Sequence, residues 1–184
     1  ISERIVYLDG GMGTLIQRSG LTDADFRKGD ARLEKIETQL LGDNDLLSIT
    51  RPDVISKIHK DYYLAGADFA TTNTFGANSI VQSEYGVGSD IVRDMNAASV
   101  RAARAAADEV SAQLGGKPLF VAGSMGPMNK AASIASDVSD PSARSITFDE
   151  LEAAYFEQAC VLAENGADIL LLETSIDTLN VKAA

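Results

Sequence analysis

Cysteine, histidine and tryptophan are scarce in this sequence: its 184 residues include one cysteine, one histidine and no tryptophan. A single cysteine excludes an internal disulfide and any multi-cysteine metal site that this chain could form alone. Long apolar runs are also lacking, since no stretch approaches the roughly 18 residues of a membrane-spanning helix. We therefore expect a cytoplasmic protein that does not interact with a membrane.

Basic residues are the minority among the charged side chains. The sequence has 16 lysines and arginines against 27 aspartates and glutamates, which gives a net charge of -11. No cluster of basic residues is available to grip a phosphate backbone, so a nucleic-acid partner is excluded. Apolar residues, by contrast, make up 45% of the chain, which is enough to form a buried core.

Four short apolar runs predict parallel strands. They lie at residues 5–8, 68–72, 118–122 and 168–172. Their near-continuous hydrophobic character is typical of strands that are buried on both faces. The last three runs begin about 50 residues apart, which leaves room for a crossover helix between each pair. Strands that alternate with helices indicate an α/β fold.

Local end signals predict three helices. Thr50 and Asp53 form a capping pattern before the first helix, and Thr147 and Glu150 form a capping box before the third. The second helix is predicted over about residues 90–114. Glycines, which adopt left-handed backbone easily, end the three helices at positions 66, 115–116 and 166.

Carboxylates lie at both ends of the predicted strands. Asp68 and Asp168 are at amino ends, where an acid usually contributes to stability. Asp9 and Glu173 are at carboxyl ends, which carry the ligand site in α/β folds. These two could hold a substrate ammonium, act as acid and base, or bind a hard cation. Alternatively, each caps N–H groups of its own loop.

Glycines follow the first of these carboxylates, in the stretch Asp-Gly-Gly-Met-Gly-Thr at residues 9–14. The stretch lacks the lysine of a phosphate loop and the third glycine of a dinucleotide fingerprint. Gly10 and Gly11 could instead bring backbone N–H groups close to a small anion such as a carboxylate. Alternatively, they only form a tight turn.

Polar side chains, among them Thr72 and Asn73, crowd the end of the second predicted strand. Such groups need hydrogen-bond partners, which a ligand or the neighbouring loops could supply. Two long connections, at residues 10–49 and 123–146, also leave the carboxyl ends of strands. Long ordered connections are often functional, although the serine-rich second one could be a solvated excursion.

The single cysteine and the single histidine both fall inside predicted helices. We expect Cys160 to be a buried, unreactive thiol and His59 to be a partly exposed helix residue. No metal-ligand spacing links the two, so we predict no metal site from these residues.

Several motifs occur together in one order along the chain. They lie at residues 8–14, 42–55, 72–75, 121–127, 147–151 and 171–174. As a set, and over nearly the whole chain, they resemble the amino-terminal homocysteine-binding domain of cobalamin-dependent methionine synthase. The resemblance departs at Thr71, where the family usually has a glutamate, and at Met128, where it has a small polar residue.

This resemblance implies a (β/α)₈ TIM barrel, of which residues 1–184 would form about the first four βα units and stop inside the fourth helix. It also implies methyl transfer from methylcobalamin, recharged by 5-methyltetrahydrofolate, to zinc-bound homocysteine, which forms methionine. In homocysteine binding, Asp9 and the amides of Gly10 and Gly11 would belong to the amino-acid cradle. Glu173 would face the substrate ammonium, and the pocket would be lined by Thr72 and Asn73.

The zinc of this family is held by three cysteines from later strands, which we expect beyond Ala184. We therefore assign no catalytic or metal-binding residue within the chain and expect the segment alone to lack catalysis. The implied partners are homocysteine, the remaining half barrel, and the folate and cobalamin domains. A half barrel has open edges, so we expect dimerisation, rearrangement, or a remainder of the protein outside this chain.

Three alternatives stay open. The protein could be a homocysteine S-methyltransferase that uses betaine or S-methylmethionine as methyl donor. It could also be a small flavodoxin-like binding module without catalysis, or a non-catalytic interaction fragment.

Overall fold

A parallel sheet of three strands forms the centre of the protein in a computed structural model that describes residues 4–140 and 142–184. The strands are β1 (Phe69–Thr71), β2 (Phe120–Met125) and β3 (Ile169–Leu172), adjacent in that order. The middle strand is almost completely buried, as its apolar sequence predicts. The parallel pairing, with helices between the strands, confirms the α/β fold.

The first predicted strand, at residues 5–8, is reduced to a single parallel bridge between Leu8 and Phe69. Three backbone hydrogen bonds accompany this bridge, including one of 3.0 Å from the Asp9 N–H to the Phe69 carbonyl. The expectation of four full strands is therefore wrong in the described residues. Ile5 and Tyr7 remain 75% and 61% exposed, so this segment lacks the packing that would extend its pairing.

Seven α-helices surround the sheet in the described part of the chain. They are α1 (Met12–Arg18), α2 (Leu47–Thr50), α3 (Pro52–Leu64), α4 (Ser79–Gln82), α5 (Ser89–Gln113), α6 (Phe148–Glu164) and α7 (Thr178–Ala183). Four 3-10 helices lie at Asp23–Phe26, Leu33–Lys35, Asn44–Leu46 and Ser83–Tyr85. Within the same described ranges, no helix has the length and apolar character needed to cross a membrane.

The helix ends follow most of the predicted signals. Thr147 and Glu150 form a reciprocal capping box before α6, and glycines 66, 115, 116 and 166 all have positive φ. The predicted Thr50 cap is wrong, because Thr50 lies inside α2 and its hydroxyl donates to the Leu46 carbonyl. Arg51 is the residue before α3, and its guanidinium donates hydrogen bonds to both carboxylate oxygens of Asp53.

The first long connection, residues 10–49, is built into the core. Ile16, Phe26, Leu33 and Leu40 from this segment are each at most 3% exposed and pack in one hydrophobic cluster. Much of the second connection lies at the surface, with one antiparallel bridge between Ala135 and Arg144. The first connection is therefore an ordered segment that packs into the hydrophobic core.

Two single residues differ from expectation. His59 is completely buried in α3, so its predicted partial exposure is wrong. Burial lowers the pKa of this histidine to about 4, because the charged imidazolium would lose its hydration. Neither ring nitrogen has a hydrogen-bond partner within the described structure. Cys160 is half-buried in α6, where full burial was expected.

The amino ends of β1 and β3 are held by aspartates. Asp68 accepts a 3.0 Å hydrogen bond from the Tyr7 N–H and pairs with Arg4 and Lys117. Asp168 accepts a 2.7 Å hydrogen bond from the Val121 N–H and pairs with Arg104. Both carboxylates thus hold neighbouring segments together at the amino ends, where an acid usually contributes to stability.

Candidate functional site

A cavity of about 570 Å³ opens at the carboxyl ends of the strands, between the sheet and the first long connection. Its walls come from the segment after residue 8, the 42–45 turn, the end of β1 and the residue after β3. All six residues predicted for the site line it: Asp9, Gly10, Gly11, Thr72, Asn73 and Glu173. The fold brings them together because parallel strands end at one edge of the sheet.

Asp9 is held by the last residue of β1. The Thr71 N–H donates to Asp9 Oδ2 at 2.8 Å, and the Thr71 hydroxyl lies 3.0 Å from Oδ1 and 3.2 Å from Oδ2. Burial raises the pKa of Asp9 to about 6, and the charge of Glu173 adds to this effect. The hydrogen bonds from Thr71 act in the opposite direction and favour the ionised form.

Glu173 is oriented in a similar way from β2. The Ser124 hydroxyl donates to Glu173 Oε1 at 2.7 Å, while the Glu173 N–H donates to the Met125 carbonyl at 3.1 Å. The following residue, Thr174, has a φ of 57°, which turns the chain sharply after the carboxylate. Each of the two carboxylates is therefore fixed by a hydroxyl group of the neighbouring strand.

Gly10 and Gly11 form the turn beside Asp9. A Cβ atom on Gly10 would lie 3.0 Å from the Tyr62 hydroxyl oxygen, so the close approach of Tyr62 favours glycine there. The Tyr62 hydroxyl donates to the Gly11 carbonyl at 3.1 Å. In the residues that the structure describes, the N–H groups of both glycines have no hydrogen-bond partner. Both glycines line the cavity and are exposed.

Thr72 and Asn73 line the cavity, but their hydrogen bonds run into the protein. The Thr72 hydroxyl accepts from the Ser124 N–H at 2.9 Å and lies 2.6 Å from the Thr74 hydroxyl. Asn73 donates through Nδ2 to the Asn44 carbonyl at 2.7 Å. Neighbouring elements therefore supply the partners that these polar groups need, which is one of the two possibilities raised by the sequence.

Comparison with known proteins identifies the family to which the chain belongs. The model of the homocysteine S-methyltransferase family, described as "Homocysteine S-methyltransferase", matches residues 6–184. The chain belongs to the homocysteine S-methyltransferase family. This assignment supports the homocysteine-binding domain expected from the motifs, at the level of the family and without singling out the cobalamin-dependent methionine synthases.

Solved structures of the homocysteine methyltransferase MmuM from Escherichia coli have the same fold. The metallated form is 22% identical, with a TM-score of 0.74, over 99% of this chain and 58% of its own. The oxidized form is 23% identical, with a TM-score of 0.74, over 99% and 57%. The apo form is 24% identical, with a TM-score of 0.66, over 99% and 54%. The chain thus spans a little over half the length of these structures.

Two buried acids of the cavity wall were not assigned a role from the sequence. Asp45 Oδ2 accepts from the Gly76 N–H at 2.9 Å, and burial together with the charge of Asp43 raises the pKa of Asp45 to about 8. Asp43 Oδ1 accepts from Gln82 Nε2 at 3.0 Å, and burial raises the pKa of Asp43 to about 6. Their one signal in the sequence is an acidic pair set among leucines at residues 40–47.

A zinc ion, which the resemblance implies for the family, does not fit the residues of this chain. No group of three histidine, cysteine, aspartate or glutamate side chains is arranged for a metal within residues 4–140 and 142–184. His59 lies buried in α3 and Cys160 lies in α6, and neither lines the cavity. Within the described residues, the lining of the cavity therefore includes acids but no histidine or cysteine.

Proposed function

We propose that this chain contributes the amino-acid pocket of a methyltransferase that converts homocysteine to methionine. The observation that carries the proposal is that the carboxylates of Asp9 and Glu173 line the same cavity as Gly10 and Gly11, whose N–H groups have no partner among the described residues. A zwitterionic amino acid needs an anion for its ammonium and N–H donors for its carboxylate. Membership of the homocysteine S-methyltransferase family supports homocysteine as that amino acid.

In this proposal Glu173 and Asp9 face the ammonium group of homocysteine. Ser124 engages Oε1 of Glu173, which leaves Oε2 for the substrate apart from a long 3.4 Å contact with the Thr174 hydroxyl. The amides of Gly10 and Gly11 receive the substrate carboxylate. Thr72 and Asn73 form the adjacent wall, and their internal hydrogen bonds keep that wall rigid.

Binding of homocysteine to the chain, measured by isothermal titration calorimetry, tests this proposal. The Glu173→Gln variant should bind roughly 10- to 100-fold more weakly, because it loses a charged hydrogen bond. The exposed Glu152→Gln variant in α6 is the matched control and should bind like the wild type. 4-Mercaptobutanoate, which is homocysteine without its ammonium group, should lose no affinity in Glu173→Gln relative to Glu152→Gln. A wild-type chain that does not bind homocysteine would refute the proposal.

Methylcobalamin, recharged by 5-methyltetrahydrofolate, is the methyl donor that we propose from the motifs at residues 42–55. Under this proposal, the rest of the barrel and the folate and cobalamin domains are the partners of the chain. Betaine and S-methylmethionine are the alternative donors. Methionine formation by the full-length protein, with the three donors offered separately, distinguishes them. The 184 residues alone should bind homocysteine without methylating it, because they supply no zinc site to activate the thiol.

A further inference from the structure

Thr71 binds the Asp9 carboxylate through both its amide and its hydroxyl group. It is the last residue of β1, and it lies half-buried at the edge of the cavity. Its amide and its hydroxyl both donate to the Asp9 carboxylate, at 2.8 Å and 3.0 Å, so both carboxylate oxygens are engaged. The amide contact is available to any residue at position 71, but the hydroxyl contact is specific to threonine or serine.

The surroundings of Asp9 determine how much the Thr71 hydroxyl contributes to keeping the carboxylate ionised. Among the described residues, the titratable groups that interact electrostatically with the Asp9 carboxylate are Glu173, Tyr62 and Tyr63, none of which is a cation at neutral pH. Burial and the charge of Glu173 favour the protonated acid and raise the pKa of Asp9 to about 6. Only hydrogen-bond donors oppose this effect: Thr71 supplies the two stronger ones, and the backbone of Asp9 itself supplies a weaker third.

We propose that Thr71 is a positioning residue, whose hydroxyl keeps the Asp9 carboxylate ionised and directed toward the ammonium of the amino-acid substrate. This inference rests on the proposed function of the cavity. It assigns to Thr71 an effect on substrate binding that depends on pH, because the hydroxyl acts through the ionisation of Asp9. A purely structural role would weaken binding by the same factor at every pH.

Two variants separate the hydroxyl from the rest of the side chain. Thr71→Val keeps the shape, the β-branched strand preference and the amide donor, but removes the hydroxyl. Thr71→Ser keeps the hydroxyl and serves as the rescue. The titration midpoint of the Asp9 carboxyl, followed by ¹³C NMR, should rise by about one pH unit in Thr71→Val and stay near the wild-type value in Thr71→Ser.

The same variants predict a pH profile for homocysteine affinity, measured by calorimetry. A midpoint near 7 in place of 6 leaves about a tenth of Asp9 ionised at pH 6, against half in the wild type. Affinity of Thr71→Val should therefore fall about fivefold at pH 6 and stay nearly unchanged at pH 8. Thr71→Ser should follow the wild-type profile at both pH values.

The outcomes separate the two proposals. If the wild type binds homocysteine but Thr71→Val leaves the Asp9 midpoint in place, the inference about Thr71 is wrong and the proposed function stands. A loss of affinity of equal size at pH 6 and pH 8 also overturns the inference. If the midpoint moves but the wild type does not bind homocysteine, the proposed function fails, and the positioning role fails with it.

Discussion

Asp43, a buried acid in the cavity wall, allows a quantitative test of how burial of its carboxylate affects stability. The residue is 3% exposed, and Oδ1 accepts from Gln82 Nε2 at 3.0 Å. Oδ2 of Asp43 and Oε1 of Gln82 have no hydrogen-bond partner among the described residues. An ionised Asp43 therefore places a charge in a poorly solvated site. The Asp43→Asn variant keeps the shape, removes the charge and keeps an oxygen that can accept from Gln82 Nε2.

The size of the effect follows from the pKa. Burial raises the pKa of Asp43 from 3.8 to about 6, and two pKa units correspond to about 3 kcal/mol. A raised pKa in the folded state means that the stability is complete below about pH 4 and is lost as pH rises through about 6. Asparagine does not ionise. Asp43→Asn should therefore raise the free energy of unfolding by up to about 3 kcal/mol at pH 8 and change it little near pH 4.

Urea denaturation at several pH values between 4 and 8 measures this difference, provided that the m-value is unchanged. The exposed Asp108→Asn variant in α5 is the control for the exchange of aspartate for asparagine. A destabilised Asp43→Asn variant at pH 8 would refute the reasoning, because it would mean that the buried charge is compensated. A gain of equal size at all pH values would refute it as well, since the predicted gain comes from ionisation.

Three further substitutions test the scaffold by urea denaturation. Gly126→Ala should destabilise the protein by about 1–3 kcal/mol, because the new Cβ would clash with the Phe75 carbonyl and lie 2.8 Å from the Phe75 ring. Gly13→Ala is the control: its new Cβ would have no atom closer than 3.9 Å, so the variant should be neutral or stabilising. Thr147→Ala should cost about 1 kcal/mol by removing the capping box of α6, and Thr147→Ser should retain it; equal stability of the two variants would contradict the cap. Asp68→Asn should cost about 1–2 kcal/mol, because it removes the charge that pairs with the partly exposed Arg4 and Lys117. These ion pairs lower the pKa of Asp68, so the loss should shrink as pH falls below about 4, and a loss that stays constant down to pH 2 would exclude the ion pairs as its cause.

Local signals were enough to predict the three long helices. Gly66, Gly116 and Gly166 have positive φ, and the Thr147 capping box depends on residues three positions apart. The Thr50 cap was wrong because a competing local contact, the ion pair of Arg51 with Asp53, is equally compatible with the sequence. The extent of the first strand depended on packing against distant residues, which no local pattern contains.

The candidate site could be predicted in part, for a topological reason. Asp9, Thr72 and Glu173 meet because parallel strands end at one edge, which the order of strands and helices implies. Asp43 was not predicted, because its burial depends on α4 and on Gln82, 39 positions away in sequence. The burial of His59 in α3 likewise comes from packing with other elements and not from helix periodicity.

Asp68 and Asp168 have a consequence for how this pocket can change during evolution. Each accepts a hydrogen bond from the N–H of the neighbouring segment at the edge of the sheet that lies away from the cavity. A slip of one residue would break these bonds, so the strand register is fixed at the amino ends. Residues at the opposite edge, such as Thr71 and Glu173, are therefore free to be replaced without loss of strand alignment. The side chains around the cavity can thus vary while the alignment of the sheet is retained.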